Sequence, residues 1–123
     1  MSKIYTALGT MSGTSLDGID FSIIKTDGED HLSLEGNNYL EFSNNLKQKI
    51  RSIKSKITST NECRKVIEGN EYKELSNEIT MFHQEGMIQT VGYGGGRSID
   101  VIGFHGITLW HKPADGYTHQ IGD

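Results

Sequence analysis

Residues 9–20 read GTMSGTSLDGID, and their side-chain types suit one kind of chemistry, the holding of a phosphate. Such a site needs backbone N–H groups that can come close, which glycine permits, and hydroxyl donors that complete the cage. Gly9, Thr10, Ser12, Gly13, Thr14 and Ser15 supply both. Asp17 and Asp20 alone would repel an anion; they make sense where Mg2+, directly or through its waters, stands between them and a polyphosphate. No Gly-Lys-Ser/Thr follows, so the stretch is not a Walker A loop, and a strand rather than a helix is expected on its far side, unlike a dinucleotide fingerprint. The competing account is a polar hairpin in which Asp17-Gly18 merely favours the turn, and spacing alone leaves the two even. Hairpin connections run to about two to five residues, so the length and hydroxyl content of this one favour phosphate.

The elements that must position this stretch follow from periodicity. Lys3–Gly9 and Ile19–Thr26 carry the β-branched and aromatic residues of strands. Thr26–Asp30 holds an Asp-Gly turn, and His31–Phe42 reads as a third strand interrupted around Gly36 to Asn38, so three antiparallel strands are expected to open the chain. Leu46, Ile50, Ile53 and Ile57 recur at helical spacing over residues 44–57. Lys47, Lys49, Arg51, Lys54 and Lys56 take the other faces; a solvated surface explains them better than a phosphate or membrane site. Leu75, Ile79 and Phe82 predict a second helix from Glu71 to about Gln84. Glu85–Ser98, with Gly86, Gly92 and the run Gly94–Gly96, predicts a mobile connection, since those glycines do not fit dinucleotide spacing. Ile99–Gly106 predicts a compact buried strand, and the segment after it, with Pro113 and an Ala-Asp-Gly turn, an irregular end. The expected order is βββααβ.

The chain has 123 residues, 34% of them apolar and 15 of them glycine, which suits one modest domain with a thin core. Its net charge of −4, with the two signs mixed, offers no cationic face, so nucleic acid is not an expected partner. The lone Cys63 can build neither an internal disulfide nor a thiolate metal site; it reads as a small packed residue and fits a reducing compartment. Tyr5 and Thr6 interrupt the apolar start, so no signal peptide is expected, and no run approaches the roughly 18 apolar residues of a membrane span. A cytoplasmic protein is the expectation.

A second group of chemical residues stands in HGITLWH, where His105 and His111 flank Trp110. They lack a third Cys or His at a recognised spacing, so zinc is not expected. Trp110 beside His and Thr donors would suit a sugar, whose apolar face stacks while its hydroxyls bond; equally it would serve as a core anchor. His31, His83 and His119 read as structural or surface residues.

GTMSGTSLDGID, IGFHGITLWHKP and YTHQIGD occur in this order across nearly the whole chain, and together they resemble the anhydro-N-acetylmuramic acid kinase family. The resemblance implies an α/β fold: the N-terminal lobe portion of a sugar kinase of the actin, hexokinase and heat-shock-70 (ribonuclease H-like) type. It implies ATP and Mg2+ as cofactors, a small amino sugar as substrate, no membrane, and phosphorylation of 1,6-anhydro-N-acetylmuramic acid with opening of the anhydro ring, a step of cell-wall recycling. By resemblance Gly13, Thr14, Ser15, Leu16, Asp17, Gly18, Ile19 and Asp20 form the ATP phosphate loop, with Asp17 and Asp20 toward Mg2+, and His105, Gly106, Thr108 and His111 line the sugar cleft. Ile107 departs from the pattern, standing where the family usually has glutamine, and can neither donate nor accept a side-chain hydrogen bond. In relatives the general base follows QIGD, so no catalytic residue is expected within 1–123. The chain then reads as an incomplete N-terminal lobe, inactive alone and marginally folded, of an enzyme whose full-length relatives are homodimers. The alternative is a small non-catalytic nucleotide- or phosphate-binding module.

Overall fold

The computed structural model describes residues 3–13, 16–93 and 98–122, and the chain divides into two compact units, Met1–Glu41 with His83–His105, and Phe42–Phe82 with Gly106–Asp123. In the first unit, β1 (Tyr5–Ser12), β2 (Gly18–Thr26) and β3 (Leu32–Glu41) form the antiparallel opening that the sequence predicts. β4 (Val101–Gly103) adds to the far side of β1 in parallel, giving the order β3-β2-β1-β4. Alternation along β2 sends Ile19, Phe21 and Ile23 to a buried face while Asp20 stays exposed on the other. β3 is continuous where an interruption was expected: Ile23 pairs with Gly36 and Ile24 with Leu34, so Glu35 is the extra residue of a bulge. The Asp-Gly turn forms as expected, with Gly28 at φ 81°. The Asp27 carboxylate accepts the backbone N–H groups of Glu29 (2.9 Å), His31 (3.0 Å) and Asp30 (3.2 Å), and these bonds hold its carboxyl below the usual range.

Two expectations about this unit are corrected. The predicted buried strand over Ile99–Gly106 is a three-residue edge, with Val101 and Ile102 52% and 57% exposed. It pairs only with β1, and an edge of that length covers little of itself. The predicted mobile connection over Glu85–Ser98 is helix as far as Tyr93, part of α3 (Asn70–Tyr93); residues 94–97 lie outside the described residues. Gly86, which suggested a break, is where the helix meets the sheet: a Cβ there would come within 2.1 Å of the Phe21 ring. His83, one turn earlier, meets the same ring edge-on at 6.4 Å, and Thr90 Oγ1 donates to the Gly86 carbonyl at 2.7 Å. The cost of a helical glycine, about 1 kcal/mol relative to alanine, is offset by a close contact that no other residue allows.

The second unit holds α1 (Asn44–Ser55), the short α2 (Thr60–Val66), the first half of α3, and a hairpin of β5 (Ile107–Lys112) and β6 (Tyr117–Ile121) joined by a 3-10 turn over Pro113–Asp115. Ser43 and Ser59 cap α1 and α2, each hydroxyl accepting an N–H three residues on at 3.1 Å. Leu46, Ile50, Ile53 and Ile57 are buried as their spacing predicts, as are Leu75 and Ile79 of α3, and Phe42 packs on Phe82 at 4.8 Å. Lys49 and Lys56, from the basic face of α1, pair with Glu78 and Glu71 of α3; these exposed pairs contribute roughly 0–1 kcal/mol each. No helix among the described residues is long and apolar enough to cross a membrane.

Gly86 and Gly92 share one helix and should respond oppositely to alanine. Gly86→Ala drives a methyl into Phe21 and should destabilise the protein by about 1–3 kcal/mol. Gly92, with nothing within 4 Å of its missing Cβ, should gain about 0.5–1 kcal/mol as alanine. Urea-unfolding midpoints of the two variants check both signs; equal destabilisation would remove the packing explanation.

Candidate functional site

The β1–β2 ladder runs without a break from Tyr5↔Thr26 to Ser12↔Ile19, so five residues, Gly13 to Asp17, must reverse the chain before β2 begins at Gly18. That lies within the roughly two to five residues of ordinary hairpin connections, which corrects the expectation that this connection is too long for one, and its length no longer favours phosphate. The turn closes by a bond from the Leu16 N–H to the Gly13 carbonyl at 3.3 Å. Leu16 takes φ 57°, the one positive φ of a non-glycine residue among those described, and its side chain is 8% exposed. A left-handed leucine costs roughly 1–2 kcal/mol, and burial of the side chain offsets it. At Gly18 a Cβ would lie 2.4 Å from the Leu40 carbonyl and 2.6 Å from the Tyr39 hydroxyl, so only glycine lets β3 pass. The Asp17 and Asp20 carboxylates are exposed, and Asp20 sits across from Met11 and Tyr39 on the open face of the sheet. Leu16 and Ile19 turn their side chains into the buried side, so any contact they make to a ligand is through the backbone.

The same end of the sheet receives the exit of β4. Because β1 and β4 are parallel, both finish on this edge, the place where open α/β sheets bind ligands. Thr10, read from the sequence as a phosphate hydroxyl, is spent on joining them: its Oγ1 donates to the Gly103 carbonyl at 3.4 Å and accepts the His105 N–H at 3.3 Å. Ser12 Oγ is buried and has no hydrogen-bond partner among the described residues. The first unit thus contains Gly13, Leu16, Asp17, Gly18, Ile19 and Asp20 and, bonded to Thr10 of β1, His105, while Thr14 and Ser15 lie outside the described residues.

Gly106, Thr108 and His111 belong to the second unit. Gly106 has φ 72° and admits the Ile121 carbonyl where a Cβ would be 2.7 Å away, which sets the mouth of the hairpin. Ile107, in the glutamine position, is buried opposite Ile121 and serves packing. Thr108 pairs with Gln120 and His111 with Thr118, and a bulge at Leu109 separates them. Trp110 is half-buried and its indole N–H donates to Thr60 Oγ1 at 3.0 Å, the anchor role of its two sequence readings. Cys63 is fully buried, as its packed reading expects. His119 bonds Tyr72 Oη at 2.6 Å through Nε2, and burial holds its pKa below the usual 6.5. Among the described residues no three His, Cys, Asp or Glu side chains converge on a metal-sized space.

Compared with known proteins, residues 5–123 match the sequence model of the anhydro-N-acetylmuramic acid kinase family. The chain belongs to the anhydro-N-acetylmuramic acid kinase family. It is similar to individual proteins named anhydro-N-acetylmuramic acid kinase. The protein of Pelagibacter ubique is 36% identical over 125 residues, covering all of this chain and 32% of its own length. That of Nitrobacter winogradskyi is 34% identical over 120 residues, 96% of this chain and 32% of its own, and that of Rhizobium etli 36% over 129 residues, 100% and 33%. The chain spans about a third of the length of the curated relatives it matches. The α/β architecture, an antiparallel three-strand opening followed by helices and further strands, agrees with the N-terminal lobe of a sugar kinase.

Two substitutions test the local physics. At Leu16 the usual order of small residues should invert: Leu16→Gly, free of left-handed strain, should be about 1 kcal/mol more stable than Leu16→Ala, read by urea unfolding. For His119, a lowered folded pKa means that the unfolded chain takes up the proton first. Its contribution is then complete above pH 6.5 and lost as pH falls below that value. The unfolding midpoint should drop between pH 7.5 and 5.5, and His119→Gln should flatten that drop; an unchanged slope would show that His119 does not carry it.

Proposed function

We propose that this chain provides the nucleotide-phosphate half of an ATP-dependent kinase acting on 1,6-anhydro-N-acetylmuramic acid, and that the 123 residues alone bind Mg-ATP without turning it over. The observation that carries this reading is the connection from β1 into β2 of a chain in the anhydro-N-acetylmuramic acid kinase family: at the carboxyl end of β1 the Leu16 N–H closes onto the Gly13 carbonyl, and Leu16 itself is left-handed. The donor set fits a polyphosphate. Ser12 carries a buried hydroxyl with no partner among the described residues, Gly13 is exposed and leaves the backbone approachable, and Asp17 and Asp20 present exposed carboxylates. In this reading Thr14 and Ser15 complete the cage, and Asp17 and Asp20 hold Mg2+, directly or through water.

ATP supplies the γ-phosphoryl group and Mg2+ neutralises charge on its oxygens when they are bound. The chain's own residues bind and orient. Leu16 and Ile19 keep one side of the turn dry, Gly18 lets β3 support it from behind, and Thr10 holds His105 to the same edge. Gly106, Thr108 and His111 are the sugar contacts of the proposal, with Ile107 leaving one family hydrogen bond unmade. The general base that activates water lies beyond Asp123 in this reading. Transfer depends on positioning and electrostatics from both lobes, so one lobe alone retains binding and loses rate. A cytoplasmic setting and homodimeric assembly of the complete enzyme belong to the same proposal.

Isothermal titration of the chain with Mg-ATP should show saturable binding that EDTA abolishes. Asp17→Ala or Asp20→Ala should weaken it about tenfold or more, the scale of a lost charge-assisted contact, and mass spectrometry should find no sugar phosphate. Binding unaffected by either substitution would reduce the turn to a polar hairpin.

A further inference from the structure

The second unit contains a fastening that the phosphate and sugar readings do not use. Thr60 opens α2 and is 7% exposed. Its hydroxyl donates to Asp115 Oδ2 at 2.6 Å and accepts the Trp110 indole N–H at 3.0 Å. One oxygen therefore joins β5, through Trp110, to the turn between the strands, through Asp115. Further along the same helix, Cys63 Sγ accepts the Tyr117 hydroxyl at 3.8 Å, and the Arg64 guanidinium lies over the Tyr117 ring at 5.1 Å, so β6 is held as well. The short helix α2 touches both strands of the hairpin and its turn.

The hairpin needs such support. β5 and β6 form a sheet of their own, and a lone two-stranded hairpin is marginal in water. The bulge at Leu109 also interrupts the ladder between Thr108 and Trp110, the two positions just before and just at the clip. We propose that Thr60 is a positioning residue for the sugar: its hydroxyl, by tying Trp110 to Asp115, fixes the hairpin on which Thr108 and His111 are carried. A pair of side chains meant to meet the hydroxyls of one small ligand must be held to within a fraction of an ångström, and a neutral hydroxyl that donates once and accepts once does so without adding charge beside the site. The inference rests on the sugar reading of Thr108 and His111 given above.

The test uses the 123-residue chain with Thr60→Val, which keeps the volume and removes both bonds, Thr60→Ser, which keeps them, and Ile79→Val as a control for lost stability. Two signals are followed by NMR: hydrogen exchange at the Trp110 indole N–H, and amide shifts during titration with 1,6-anhydro-N-acetylmuramic acid. Thr60→Val should expose the indole N–H to exchange and weaken the sugar about tenfold, the scale of one or two lost hydrogen bonds. Thr60→Ser should restore both signals, and Ile79→Val should leave both unchanged. Sugar binding by Thr60→Val equal to wild type, or equally weakened in Ile79→Val, would overturn the proposal. Wild-type protein that gives no sugar shifts while its indole N–H is protected, and loses that protection in Thr60→Val, would overturn the sugar reading and reduce Thr60 to a structural clip.

Discussion

The unbroken pairing of β1 with β2 is the constraint on which the first unit depends. Eight successive pairs fix where β1 must end and β2 begin, and they leave five residues to turn the chain. A two-residue turn is the cheaper way to join antiparallel strands. The longer connection is tolerated because the ladder on either side holds its ends, and because Leu16 has a buried place for its side chain despite a left-handed backbone. The same ladder presents Phe21 to α3 on one face and Asp20 to solvent on the other, so packing and the candidate site are set by one register.

From that register the remaining sheet is added by two different means. β3 joins β2 in the ordinary antiparallel way, needing a glycine at position 18 for its approach and taking one extra residue, Glu35, as a bulge opposite Ile23 and Ile24. β4 joins β1 after more than 80 intervening residues and with only three pairs, so side-chain bonds do part of the joining. Thr10 takes the Gly103 carbonyl and the His105 N–H, and Asp100 takes the Thr6 N–H at 2.9 Å. The hydroxyl that the sequence offers to phosphate is thereby committed to holding His105 at the edge.

Which parts were legible in the sequence follows from how local their causes are. The three opening strands, the Asp27-Gly28 turn and the buried stripe of α1 rest on alternation, turn chemistry and helical spacing, all read within a dozen residues. The loop residues Gly13 and Leu16–Asp20 were legible by type and by family motif, although a buried leucine at φ 57° was not, since nothing in Leu16 itself favours that backbone. The length of α3 was hidden because Gly86 and Gly92 look alike in sequence, and only the Phe21 ring makes one of them a packing contact. α2 was missed for a different reason: seven residues with one fully buried apolar side chain, Cys63, show no period to detect. The β5–β6 hairpin lay unread behind Pro113 and a Leu109 bulge, which break the alternation that would have announced it.

The turn between β1 and β2 carries features that reversal of the chain does not require. A polar hairpin of this length would be satisfied by glycine or asparagine at its left-handed position and by hydroxyls open to water. Here the left-handed position is a buried leucine, and the hydroxyl that ends β1, Ser12 Oγ, is shut from solvent with no partner among the described residues. Leucine at that position keeps water from one side of the turn, and the strained backbone is held by a ladder that does not yield. Exposed carboxylates at Asp17 and Asp20 complete a surface that is dry beneath and charged above. Backbone strain of this kind persists where the surrounding structure over-determines it, and it concentrates where a ligand is held. In a chain of the anhydro-N-acetylmuramic acid kinase family, at the carboxyl end of the parallel pair β1 and β4, these features are what support the polyphosphate reading proposed for the turn.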